Sequence, residues 1–149
     1  MIGSGRTFLL LAGAGSIAAS LAHLVCIVGG PDWFRAMGAG ERMARMVERG
    51  AIMPLVITVL ISAILSVWAA YAFSAAGLIG RLPLMRLALI AIASVLIARG
   101  MMMFAPGLWR PDLSLEFKIW SSVATLVLGS LFAIGTVQAW AMLSNKGTL

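Results

Sequence analysis

Residues 51–73 read AIMPLVITVLISAILSVWAAYAF, a run without a single charged side chain. A bilayer's hydrocarbon core is about 30 Å thick and takes about 20 apolar residues in helical form to cross. The run is long enough, and it lacks the polar–apolar alternation of a membrane barrel strand. In lipid the backbone N–H and C=O groups must pair within the segment, so the run is a helix. Pro54 falls in its first turn, where a missing N–H costs no helical hydrogen bond. Outward from it, three more windows have the same character: 7–28, 82–104 and 119–143. The fold class that follows is all-α, an integral membrane four-helix bundle forming a single transmembrane domain over residues 1–149.

Composition agrees with that reading. Of 149 residues 62% are hydrophobic and 11% charged, with a mean hydropathy of +1.05, far above a soluble domain. Ser20-Leu21-Ala22 has the form of a signal-peptidase site, but the apolar run continues to Val28 and three further spans follow, so we read a resident span rather than a removed signal. Cys26 is the sole cysteine, which excludes an intramolecular disulfide. The formal net charge of +6 suits anionic lipid headgroups. No basic stripe with interleaved aromatics is present, so nucleic acid is not an expected partner.

The first connection, GGPDWFRAMGAGERMARMVERG over residues 29–50, is itself patterned. Beyond the Gly38-Ala39-Gly40 break, Met43, Met46 and Val47 share one helical face while Glu41, Arg42, Arg45, Glu48 and Arg49 take others. This spacing predicts a short amphipathic helix at the membrane surface within an interfacial segment of about 31–49, carrying a Glu41–Arg45 pair at i, i+4. The second connection, 74–81, reads as a tight glycine-containing turn, and the third runs from Ala105 through Pro106 and Asp112 into the fourth span. A faint internal repeat relates the halves: Gly5-Arg6 recurs as Gly80-Arg81 and Pro31 as Pro106, and Trp33-Phe34-Arg35 is echoed by Trp109-Arg110. Two like hairpins would produce it.

Charge divides the two boundaries unequally. Connections one and three with their flanks carry seven basic residues (Arg35, Arg42, Arg45, Arg49, Arg99, Arg110, Lys118) against four on the other side (Arg6, Arg81, Arg86, Lys146). Counting Lys and Arg alone puts the first group in the cytoplasm. All five acids, Asp32, Glu41, Glu48, Asp112 and Glu116, lie with that group and neutralise much of it, leaving the other side purely basic. On that ground both termini are expected in the cytoplasm of a cell inner (plasma) membrane.

Chemistry concentrates at the mixed-charge boundary. Arg86 and Arg99 bracket only twelve uncharged residues, fewer than the core needs, so at least one arginine enters the membrane. Arg86 reaches back towards Arg81; Arg99 either snorkels to headgroups or pairs with Glu116, Asp112 or Glu41. His23 and Cys26, three residues apart on one face, form the candidate metal pair, with Met43, Met46 and Met101 to Met103 as thioethers suited to copper(I). Against metal or haem ligation, methionine and cysteine fill apolar cores and a lone histidine bonds a neighbouring helix. Small-residue rows at Ala12, Ser16 and Ser20, at Gly15, Ala19 and His23, and at Gly129 and Ala133 allow close helix approach. Trp33, Trp109, Trp120 and Trp140 sit where boundary anchors belong, and Gln138 is deep enough in the fourth span to need a partner.

No Ser-His-Asp set, paired intramembrane carboxylates, His-x-x-Glu-His or phosphate-cradling glycine loop is present in the sequence, so enzymatic chemistry is not the expectation. The build resembles that of many small bacterial inner-membrane proteins. The expectation is a non-enzymatic membrane protein binding a lipid, a small amphipathic ligand or a partner membrane protein through His23, Glu41, Arg45, Arg99, Glu116 and Lys118. Two alternatives stand beside it: an oligomeric small transporter or channel, and a metal or haem redox protein using His23 and Cys26. Partners are membrane lipids, and a homo-oligomer or larger membrane complex.

Overall fold

The computed structural model describes residues 2–108, 111 and 113–144. All the regular secondary structure of these residues is helical, in the order α1 Ile2–Ala36, α2 Glu41–Glu48, α3 Met53–Ala75, α4 Met85–Met101, α5 Leu115–Gln138 and α6 Trp140–Ser144, with two short 3-10 turns at Met102–Phe104 and Pro106–Leu108. Four of the helices are long and apolar enough to cross a membrane, and they pair as the expected four-helix bundle.

Helix α1 is the hub. It packs along α3 on one side and α5 on the other, and α4 closes the ring mainly against α5. The heavily packed pairs are thus the hairpins α1–α3 and α4–α5, joined through α1 and α5. Leu9, Ala12, Ala72, Leu89, Leu96 and Phe132 form the central core, while large apolar side chains such as Leu60, Leu87 and Val95 point outward into what a bilayer would occupy. Such an exterior has no place in water and a natural one in lipid.

Small residues let the helices approach. A Cβ on Gly129 would stand 3.0 Å from the Ile97 backbone nitrogen, and one on Gly135 would stand 2.8 Å from Leu9 Cγ. The Ala12, Ser16, Ser20 row is buried against its neighbours. Ser20 Oγ lies 2.7 Å from Ser62 Oγ, and Ser62 Oγ donates to the Ser20 carbonyl at 3.2 Å, so hydroxyls rather than branched side chains join α1 to α3.

The ends of the spans differ from the sequence expectation in instructive ways. Span one does not stop at Val28: α1 kinks at Gly30 and resumes through Pro31 to Ala36. Gly30 sits at φ 68°, a conformation glycine adopts without steric cost. Pro31 then opens the second piece, where its absent N–H would have had no partner. Span four starts at Leu115 rather than 119, because Ser114 caps it by accepting from the Phe117 amide at 3.2 Å. Gln138 is the last residue of α5, and its side chain is exposed on the outside of the bundle. In the α3–α4 connection Ser74 Oγ donates to the Gly80 carbonyl at 2.8 Å and accepts from the Leu82 amide at 3.0 Å, which holds that turn closed.

The short amphipathic helix α2 forms where its pattern places it, with Pro54 in the first turn of α3 beyond it. Its apolar face, however, meets protein. Ala44 is fully buried, and Met43 and Val47 pack on a small second core of Cys26, Phe34 and Ala44 beneath the α1 kink.

Candidate ligand site at the mixed-charge boundary

The kink brings the last turn of α1 beside α2, and this is what assembles the charged groups. Arg35 Nε donates to Glu41 Oε2 at 2.8 Å and Nη2 to Glu41 Oε1 at 3.2 Å. The same guanidinium donates to Asp32 at 3.0 Å and to Glu48 at 2.6 Å, so one arginine gathers three carboxylates. Arg45 Nε completes the cluster by donating to Glu41 at 2.9 Å, the i, i+4 pair expected from the sequence. Hydrogen bonds from Arg35 first, then Arg45, hold the Glu41 carboxyl well below its ordinary range, at about 2.

Between α1, α2, α3 and the start of α5 lies a cavity of about 350 Å³. Its walls are apolar or soft: Ala22, Cys26, Phe34, Met37, Met43, Ile57, Ile61, Leu113 and Phe117. Phe117 lies flat on Gly38, where a Cβ would fall 1.9 Å from its ring, and Gly38 at φ 74° supplies the turn that makes this possible.

The polar groups in the wall are few. Thr58 Oγ1 donates to the Pro54 carbonyl at 2.8 Å and Cys26 Sγ to the Ala22 carbonyl at 3.4 Å, each within its own helix. His23 Nδ1 lies 2.7 Å from the Ala19 carbonyl; a carbonyl only accepts, so Nδ1 carries the proton. In the neutral ring Nε2 is then the lone-pair nitrogen. His23 is thus, with Thr58 and Cys26, one of the few polar residues bordering a largely apolar chamber.

The residues nominated from the sequence divide accordingly. Of these residues only His23 lines the cavity; Glu41 and Arg45 belong to the ion-pair cluster of α1 and α2 and are not part of the wall. Arg99, Glu116 and Lys118 stand outside the lining. Arg99 makes a long 3.4 Å contact to Ser121 Oγ between α4 and α5, Glu116 is exposed in the first turn of α5, and Lys118 is half-buried beside it. Glu41, one of the partners weighed for Arg99, is instead committed to Arg35 and Arg45; Asp112, another, lies outside the described residues, as do Trp109, Arg110 and Lys146. Arg86 leans towards the opposite boundary as expected, stacking on Trp140 at 4.4 Å and donating to its carbonyl at 3.2 Å.

His23, Cys26, Met37 and Met43 border one cavity, whereas Met46 and Met101 to Met103 do not. Among the described residues no group of three or more His, Cys, Asp or Glu side chains is placed to hold a metal ion. Sequence reasoning missed Arg35 as the hub and Phe117 as the lid. The Asp32–Arg35 spacing of three was readable as a helical pair, but the reach from Arg35 to Glu48 exists only once the chain folds back.

Compared with protein-family models, with curated proteins and with solved structures, the chain gives no match.

Proposed function

We propose that this chain is a non-enzymatic, multi-pass protein of the cell inner membrane that binds a small amphipathic, lipid-like ligand in the His23 cavity. The observation that carries the reading is the cavity itself: about 350 Å³, within the range of small-molecule pockets, mostly apolar in wall, and lined by Phe34 and Met43, whose helices also carry the charged cluster. An apolar body fits among Phe34, Ile57, Ile61 and Phe117, a single donor group suits His23 Nε2, and a polar head reaches the Arg35–Glu41–Arg45 cluster at the boundary. We place both termini in the cytoplasm on the ground that their side alone is basic with no acidic side chain, against the bare count of Lys and Arg, and this cavity is then near the opposite leaflet.

Native mass spectrometry of the protein extracted in its own lipid tests this reading. The expected result is a retained small molecule in the wild type, reduced at least tenfold by Ala22→Phe, which fills the cavity without touching the charged cluster. Equal retention by that variant, or no retained molecule at all, would overturn it. A bare homo-oligomer would point instead to the transporter or channel alternative.

One observation favours a second reading. His23, Cys26 and Met43 share the wall of that cavity, a nitrogen and two sulfurs of the kind that select copper(I). Elemental analysis of the same sample decides it: stoichiometric copper lost in a His23→Ala/Cys26→Ala double variant supports a soft-metal site, and its absence disposes of one.

A further inference from the structure

The other end of the bundle carries basic side chains and none of the five acidic ones. Arg6 on α1, Arg81 in the α3–α4 connection and Arg86 in the first turn of α4 lie there, and Lys146 falls on the same side in sequence. All five acidic residues belong to the first and third connections, at the far boundary.

Arg6 and Arg81 line a common cavity of about 550 Å³, whose inner wall includes Ala75, Ala76, Met85 and Leu143. Arg81 is anchored by donating to the Leu143 carbonyl, which fixes its position at the rim. Two guanidinium groups on the wall of one cavity favour an anion as its occupant. Their planar forks match phosphate oxygens, and the apolar inner wall suits the glycerol and first methylenes behind a headgroup. Arg86, stacked on Trp140, is not part of the lining but adds a third cation at this end of the bundle, where tryptophan marks the headgroup layer. Basic recesses between spans at the cytoplasmic boundary are where anionic lipid headgroups bind.

We propose that the cavity between Arg6 and Arg81 is a binding site for the phosphate headgroup of an anionic phospholipid. It lies at the opposite boundary from the His23 cavity and does not depend on that site holding a ligand. A bound anionic lipid there also fixes the basic end in the more negative leaflet.

The test is lipid retention by the intact chain in mixed micelles, read by native mass spectrometry with phosphatidylglycerol and phosphatidylcholine at equal concentration and inorganic phosphate in a separate arm. Phosphatidylglycerol should be retained at least tenfold over phosphatidylcholine, with the preference falling about fivefold per arginine removed and weakening as salt rises. Arg6→Gln is the variant that leaves the fold alone, since Arg6 is exposed and makes no hydrogen bond or ion pair among the described residues. Arg6→Gln/Arg81→Gln should abolish the preference, whereas Arg42→Gln, on the exposed face of α2, should leave it unchanged. An equal loss in Arg42→Gln, no loss in Arg6→Gln, or retention of inorganic phosphate as strong as that of the lipid would each overturn the proposal.

Discussion

The Arg35 guanidinium grips the Glu41 carboxylate through two hydrogen bonds, Nε to Oε2 at 2.8 Å and Nη2 to Oε1 at 3.2 Å, and so ties the end of α1 to the start of α2 across a four-residue turn. Because Asp32 and Glu48 share the same guanidinium, removing it releases those two carboxylates and leaves Glu41 with Arg45 alone. Arg35→Leu is therefore expected to raise amide hydrogen exchange across 41–48 while leaving α3 and α5 as protected as before. Arg35→Lys should restore little, since an ammonium has no fork. Unchanged exchange in α2 would show that its apolar face alone holds it down.

The same pair sets a pH dependence. Hydrogen bonds from Arg35, which docking supplies, and then from Arg45 on α2 itself hold the Glu41 carboxyl down at about 2 against an ordinary 4.5, so the Arg35 share of that lowering makes docking favour the ionised form. The contribution is fully present above pH 4.5 and is lost as pH falls from there through about 2. Docking of α2, followed by exchange or by carbon chemical shifts of the Glu41 carboxyl, should be flat from pH 7 to 5 and weaken only in that acid window. Glu41→Gln should remove the dependence, and a transition above pH 5 would contradict it.

Helix contact at α4–α5 depends on Gly129. A methyl there meets the Ile97 nitrogen and Leu96 Cβ, both at 3.0 Å, and backbone cannot step aside as a side-chain tip can. Gly129→Ala should cost about 1–3 kcal/mol, the usual range for overpacking. Gly80→Ala, with no atom within 4 Å of the added carbon, is the matched control and should be nearly neutral. Reversible unfolding in mixed micelles measures both, and similar losses would contradict the packing account.

Ser20 and Ser62 form the polar seam of α1 and α3, their hydroxyl oxygens 2.7 Å apart. Interhelical hydrogen bonds in membranes average about 0.6 kcal/mol, because the separated helices find other partners. A Ser20→Ala/Ser62→Ala double-mutant cycle should return a coupling of about that size. A coupling of zero would mean that close packing, rather than the hydroxyls, holds the pair.

The sequence by itself determined the four spans, because a run of about 20 apolar residues has one low-energy arrangement in a bilayer, whatever its neighbours. It also determined α2 and the Glu41–Arg45 pair, since both follow from helical periodicity within eight residues. Only the tertiary structure decided where α2's apolar face went, that Arg35 joins Glu48 across thirteen positions, and that His23 shares a cavity with Met43 and Phe117. Each of these depends on the direction the chain takes after Gly30. A glycine in sequence announces freedom to turn, but the angle it adopts is fixed by Phe34, Cys26 and Ala44 finding one another beneath the kink.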